Sequence, residues 1–376
     1  MSAISAAWRE VSLAEICEFR YGKSLPDAMR AGGDVPVFGS NGVVGQHNES
    51  ITAGPAVVVG RKGSFGEVRF SPVPCWPIDT TYYIDNTATG ADLKWLAYRL
   101  AGLGLKRLNK AAAVPGLNRE DAYRQRLLLP PLPEQRRIAE VLDRAEALRA
   151  KRRDALAQLD VLTQSIFFDM FGDLRNCRCV PMESLACNKR HALSSGPFGS
   201  NLTSKHYVDK GVLVLRGLNV TGGEVALQDC RFVSESKSRE LSRSIVVPGD
   251  IVIVAVGSSG LACLIPETVP MAVMSQNFNK ISPNLGVVDA AYLCFVLNSE
   301  LVQRQFGQNI TDTVRTFLSL TKVKKVSVPL PPLSLQREFA RRVAAVEKLK
   351  DTHRASLGEL DALFSALQYR AFRGEL

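Results

Sequence analysis

The chain has 376 residues, 46% of them apolar, and 47 Lys and Arg against 37 Asp and Glu give a formal net charge of +10. That length holds two or three domains with proper cores, and the absence of a run of about 18 apolar residues excludes a membrane span. The cationic excess excludes an acidic, solvating chain and suits a polyanionic partner, because Lys and Arg that neutralise phosphates release condensed counterions.

In chain order, Met1 to Glu10 lacks the apolar centre of a signal peptide. A short lead-in, Trp8 to Leu13, precedes a small polar loop, Tyr21-Gly22-Lys23-Ser24. That loop ends like a phosphate loop, but Cys17 stands where the upstream glycine belongs. Ala56-Val57-Val58-Val59 reads as a buried strand. The glycine-framed segment after it, Gly60-Arg61-Lys62-Gly63-Ser64-Phe65-Gly66, carries two cations. Its glycines let backbone approach phosphates, and Arg61, Lys62 and Ser64 are candidate DNA contacts together with Lys23. An apolar helix is predicted over Leu93 to Leu100, and Gly102-Leu103-Gly104 lacks the third glycine of a cofactor loop.

From Leu129 the sequence reads LPPLPEQRRIAEVLDRAEALRAKRRDALAQLDVLTQSIFFDMF. The proline pair stops a strand, and a Pro-free run of about 35 residues then predicts a helix about 50 Å long. Cys177, Cys179, Cys187 and His191 are zinc-ligand types without paired C-x-x-C arms, and the eight scattered cysteines fit free thiols in a cytoplasmic chain. A second polar loop, Ser195-Gly196-Pro197-Phe198-Gly199-Ser200, echoes the first. Ser195, Arg216, Asn219 and Arg315 are the DNA-contact candidates in this half, since Arg and Asn suit bidentate bonds to guanine and adenine edges. Asp229 with Glu235 and Lys237 is too tightly spaced for a nuclease metal cluster. Asp250 to Val254 predicts a second buried strand, and Ala290 to Leu297 a second apolar helix.

From Leu330 the chain reads LPPLSLQREFARRVAAVEKLKDTHRASLGELDALFSALQYRAF, which aligns without a gap to the first long segment at an offset of 201 residues. Identical pairs include Gln135/Gln336, Arg136/Arg337, Leu148/Leu349, Leu159/Leu360 and Leu162/Leu363. Apolar residues at Ile138, Val141, Ala145, Leu148, Ala155, Leu159, Leu162 and Ile166 predict a coiled-coil seam; its second copy runs through Phe339, Val346, Leu349, Ser356, Leu360, Leu363 and Leu367. The expected fold is α+β: two related globular domains, 1–128 and 175–328, each followed by a long helix, 129–174 and 329–376. Antiparallel pairing about a pseudo-two-fold axis would put the domains at opposite ends of the rod. It would also bring together the polar breaks in the seam, Arg152 and His353.

This order of domain, helix, related domain, related helix resembles the specificity subunit of type I restriction–modification enzymes. The resemblance rests on Leu129 to Arg136 with Ile138, on Leu330 to Leu333 with Gln336 and Arg337, and on the Ser195 to Ser200 loop. The second copy departs from the first at Ser334-Leu335, where Pro133-Glu134 stand. The resemblance implies target-recognition domains that each read half of a bipartite, asymmetric site in double-stranded DNA. It also implies spacer helices that dock two adenine-methylating modification subunits, and a restriction subunit. Gln135, Arg136, Leu148, Leu159, Leu162 and Gln336, Arg337, Leu349, Leu360, Leu363 are the candidate docking and spacer residues. No cofactor is then expected in this chain; S-adenosylmethionine, ATP and Mg belong to the partners, in a bacterial or archaeal cytoplasm. The Pro-Pro pairs lead into Leu132 and Leu333, not into the aromatic of an amino-methyltransferase loop. Three other readings stay open: a modification-only system, an enzyme with an unrecognised motif, and a coiled-coil scaffold without DNA binding.

Overall fold

Two runs of β-branched residues, Ala56–Gly60 (β5) and Ile251–Val254 (β18), are buried along their whole length, and each is an inner strand of a four-stranded antiparallel sheet. The computed structural model describes residues 8–108, 116–172, 177–257, 260–307 and 317–376. They form two units, one of residues 1–157 with 352–376 and one of residues 158–351.

In the first unit the sheet order is β2 (Arg20–Tyr21), β8 (Thr81–Asp85), β5, β6 (Val68–Ser71). A three-stranded sheet lies beside it in sequence, β4 (Gly42–His47), β3 (Val35–Gly39), β7 (Trp76–Pro77), with β3 and β7 parallel. The lead-in strand β1 (Arg9–Ser12) pairs with β9 (Arg126–Leu129). Helix α1 (Leu93–Gly102) buries Leu93, Trp95, Leu96 and Leu100, and the five-residue α2 (Arg119–Tyr123) follows.

The second unit repeats this frame. Its four-stranded sheet runs β11 (Leu193–Ser195), β21 (Phe278–Ile281), β18, β19 (Ala262–Leu264). Its lead-in β10 (Cys179–Pro181) pairs with β22 (Ser327–Pro329). The parallel pair recurs as β13 (Val212–Leu215) with β20 (Ala272–Met274). Here it is enlarged to five strands by β12 (Tyr207–Val208), β16 (Arg231–Val233) and β17 (Ile245–Val246), and β14 (Val220–Thr221) and β15 (Glu224–Val225) form a hairpin. Helices α4 (Glu235–Glu240), α5 (Ala290–Leu297), α6 (Glu300–Gln303) and α7 (Leu320–Lys325) complete it. A buried pair, Lys280 Nζ to Asp250 Oδ2 at 3.3 Å, ties the two sheets, because Lys280 lies on β21 and also donates to the Ile245 carbonyl on β17.

The two long helices are α3 (Leu132–Phe171, 40 residues) and α8 (Leu333–Ala371, 39 residues). The glutamine three residues in explains their shared entry motif. Gln135 Nε2 donates to the Pro130 carbonyl at 2.8 Å, and its Oε1 accepts from the Asp92 N–H at 2.8 Å. Asp92 caps α1. Gln336 repeats this with the Pro331 carbonyl at 2.8 Å and the N–H of Asp289, the cap of α5, at 2.9 Å. Each buried amide thus supplies the donor and acceptor that a proline turn and a helix start leave unmet.

Within the first unit α3 and α8 run antiparallel, with Arg149 Nε 2.6 Å from Asp361 and Arg152 Nη1 2.6 Å from His353 Nδ1. The expected meeting of the seam's polar breaks is therefore present. Within the second unit the pairing is again antiparallel, with Lys350 Nζ 2.8 Å from Asp160 and Phe167 and Phe171 packed edge-to-face with Phe339. These ion pairs are the same repeat positions exchanged: Arg149 and Lys350 correspond, as do Asp361 and Asp160. Each cation also holds its own i−3 glutamate, Glu146 or Glu347.

The predicted seam needs one correction. The inward stripe runs Ile138, Leu142, Ala145, Arg149, Arg152, Leu156, Leu159, Thr163 and its equivalents in α8. Leu148, Leu162, Leu349 and Leu363 lie outside it, at 54%, 43%, 47% and 50% exposure. An apolar-equals-inward rule takes these leucines as knobs, but the inward turns there carry ion-paired cations whose stems pack and whose charges are met.

Candidate nucleic-acid interface

The loops at one end of each four-stranded sheet correspond bond for bond. In the first unit Gly22 N–H donates to the Thr81 carbonyl, Gly66 N–H to Gly60, and Leu117 N–H to Arg61. In the second, Gly196 N–H donates to Phe278, Gly260 N–H to Val254, and Leu318 N–H to Ala255. Asn118 and Ser319 then cap α2 and α7. This pattern makes Tyr21 equivalent to Ser195, Arg61 to Ala255, Lys62 to Val256, Tyr82 to Asn279 and Arg119 to Leu320. The glycines are obligatory. A Cβ on Gly22 would lie 2.1 Å from the Ile78 oxygen, and one on Gly196 would lie 1.9 Å from the Ser275 oxygen.

At these five positions of the shared frame the side chains differ. In the first unit Tyr21, half exposed, is flanked by two guanidinium groups, Arg61 at 5.0 Å and Arg119 at 5.4 Å from the ring centroid. Arg61 also lies 5.9 Å from the Tyr82 ring and donates through Nη1 to the Asp79 carbonyl at 3.0 Å. Arg119 sits 5.7 Å from the Tyr123 ring, and its buried Nε has no hydrogen-bond partner. Burial pushes the Tyr82 phenol up to about 12, so the ring stays neutral beside these cations. Lys23, Lys62 and Ser64 are exposed around the stack. Among the described residues Arg61, Lys23 and Lys62 have no carboxylate partner, and Arg119 has Glu120 at 3.8 Å.

In the second unit the same positions form a small polar network. Ser195 Oγ donates to Asn279 Oδ1 at 2.8 Å, and Asn279 Nδ2 to the Leu318 carbonyl at 2.8 Å. Two candidates are used internally. Asn219 is buried, with its amide bonded to Arg216 N–H, Ala226 and Gln228, so it supports the hairpin and does not present an edge to a base. Arg216 is held by Asp229, whose carboxyl is kept below the usual range by that guanidinium's hydrogen bond and by the charge of Arg231. Arg315 lies outside the described residues. Tyr21 and Arg119 escaped the sequence reading. Their signals were an aromatic beside the glycine loop and an arginine directly after a cap.

On the long helices the docking candidates divide. Gln135 and Gln336 are buried clamps whose amides face inward, which corrects their assignment as surface contacts. Leu159 and Leu360 are half-buried in the stripe. Arg136, Arg337, Leu148, Leu162, Leu349 and Leu363 are exposed, as are the repeat-related aromatics Phe168 and Tyr369. Among the described residues no group of three or more His, Cys, Asp or Glu could hold a metal ion, all eight cysteines are free, and no helix is long and apolar enough to cross a membrane.

Residues 6–158 match the model of the type I restriction modification DNA specificity domain. Over that segment the chain is similar to the type I restriction–modification specificity family. The specificity subunit of the type I restriction enzyme EcoBI from Escherichia coli is 27% identical over 173 residues, 45% of this chain and 36% of that protein. The MjaVIII specificity subunit from Methanocaldococcus jannaschii is 19% identical over 272 residues, 68% of this chain and 63% of its own length. The chain thus spans less than two thirds of either curated relative. The specificity fold extends over nearly the whole chain. The S subunit structure from M. genitalium aligns with a TM-score of 0.61 at 16% identity, over 97% of this chain and 96% of that one. A chain from a structure of complex assembly and conformational transition of the type I R-M system aligns with a TM-score of 0.55 at 16% identity, over all of both chains.

Proposed function

We propose that this chain is the DNA-reading subunit of a cytoplasmic type I restriction–modification complex and carries no catalytic centre of its own. Each globular domain reads one half of a bipartite, asymmetric site in double-stranded DNA. The reading is carried by one observation: two domains share a loop frame hydrogen bond for hydrogen bond, yet differ at five positions on it, Tyr21/Ser195, Arg61/Ala255, Lys62/Val256, Tyr82/Asn279 and Arg119/Leu320. Catalysis would fix such side chains, whereas reading two different half-sites requires them to differ. The helices α3 and α8 space the domains and dock two modification subunits, with a restriction subunit completing the complex. Exposed leucines repeated at 148/349 and 162/363 favour two copies of one partner over two unrelated ones. S-adenosylmethionine, ATP and Mg act in those partners.

The test is to map methylated adenines in a host with and without the gene. A two-part motif that vanishes on deletion is expected. Exchanging residues 1–128 for those of another family member is expected to alter one half of the motif. An unchanged methylome, or both halves changing on that exchange, would overturn the reading.

A further inference from the structure

We propose that Arg61 and Arg119 are the base-reading side chains of the first half-site, that each takes a guanine edge in the major groove, and that Tyr21 is their positioning residue. The inference rests on the DNA-reading function proposed above.

Two guanidinium groups lie against one tyrosine ring, and two further tyrosines back them, Tyr82 behind Arg61 and Tyr123 behind Arg119. Like charges held this close repel one another, and a structural role would call for a carboxylate between them. Among the described residues no carboxylate pairs with Arg61, and Arg119 has only Glu120, 3.8 Å away on the neighbouring residue. The cluster is therefore incomplete as an internal ion pair and complementary to electron-rich groups from outside.

The chemistry of the missing group follows from geometry. A guanidinium laid on aromatic faces has its plane fixed before anything binds, so its fork is preorganised and little entropy remains to be lost. One edge of Arg61 is occupied by the Asp79 carbonyl at 3.0 Å, which leaves the other edge as a two-pronged donor. A planar fork with fixed orientation matches guanine O6 and N7. Phosphate would be served equally by mobile point charges, and Lys23 and Lys62 already stand exposed at the rim for that role. The buried Nε of Arg119 makes no hydrogen bond and lies only 3.8 Å from Glu120 Oε1, so its fork is placed by the two rings. Tyr21 is half exposed because its work is to separate and orient the two forks.

The second domain supplies the contrast. Ala255 and Leu320 replace the arginines, and Ser195 bonded to Asn279 replaces the tyrosine pair. The two-guanine signature should accordingly belong to one half-site only.

The experiment uses the full-length chain in its complex and adenine methylation mapped across genomic DNA. Wild type defines the two halves of the motif. With Arg61→Lys or Arg119→Lys, discrimination at one guanine of one half is expected to fall about tenfold to a hundredfold, the range of a lost bidentate pair, while the other half is unchanged. Tyr21→Ala is expected to relax the same positions, and Tyr21→Phe to restore them, because the ring and not the hydroxyl orients the forks. A Lys variant that leaves the motif intact would overturn the proposal. So would uniform weakening of all sites with the log–log salt slope lowered by about one, the mark of a phosphate contact. A wild-type chain that yields no two-part motif would sink the DNA-reading function itself, a result distinct from an intact motif in the variants.

Discussion

The two domains differ least where their backbones are crowded and most where their side chains face outward. Gly22 and Gly196 sit under carbonyl oxygens that leave no room for a methyl group, and Gln135 and Gln336 fill identical buried gaps. A step away, an Arg–Tyr–Arg stack in one domain has Ser195 bonded to Asn279 as its counterpart in the other. The lesson is that the frame is held by groups that tolerate no change. The positions beside it diverge, as the proposed reading of two different half-sites requires.

The largest effects should come from the shared glycines. Gly22→Ala and Gly196→Ala each force backbone apart and are expected to destabilise their own domain by about 3 kcal/mol or more. Thermal unfolding with site-specific proteolysis would locate the loss, and mild losses in both would mean that the loops yield. Next comes a feature of the second domain alone. Asp250→Ala strands Lys280 between two sheets and is expected to cost about 3 kcal/mol, while Asp250→Ala with Lys280→Met recovers most of it. Equal destabilisation by single and double variants would deny the pair its role.

Smaller and symmetric are the glutamine clamps. Gln135→Leu and Gln336→Leu each leave an N–H and a carbonyl unmet and are expected to cost about 2 kcal/mol, alike in the two domains. Chemical denaturation that found one loss several times the other would break the equivalence. The smallest effect has the opposite sign. Replacing Arg152 and His353 together with leucine exchanges a polar layer for an apolar one and is expected to stabilise by about 1 kcal/mol. Melting temperature should rise by about 2–4 °C. The same double variant tests register: methylation of sites whose spacer is longer or shorter by one base pair is expected, and a single retained spacer length would remove the register role.

Much of this was legible in the sequence. A gapless repeat at an offset of 201 residues pointed to paired helices, and β-branched runs marked the sheet centres. The phase of the helix stripe was not legible around Leu148, because the inward neighbour Arg149 is buried only by virtue of Asp361, which lies 212 residues on. Asn219 misled for the same reason: its bonding partners are carbonyls brought round by a hairpin that no local pattern announces. The Tyr21 stack draws on three separated segments, so no window of sequence contains it.

Arg152 and His353 occupy one and the same place in the two copies, so at this point the repeat meets itself. A symmetric dimer of severed half-chains would set that residue against its own twin. Two first halves would oppose arginine to arginine, like charges that repel by about 1–4 kcal/mol at 4 Å depending on local screening. In the intact chain the guanidinium instead donates a hydrogen bond to a ring nitrogen. The mismatch at this single site thus disfavours homotypic exchange and favours the union of unlike halves that the proposed asymmetric target would require.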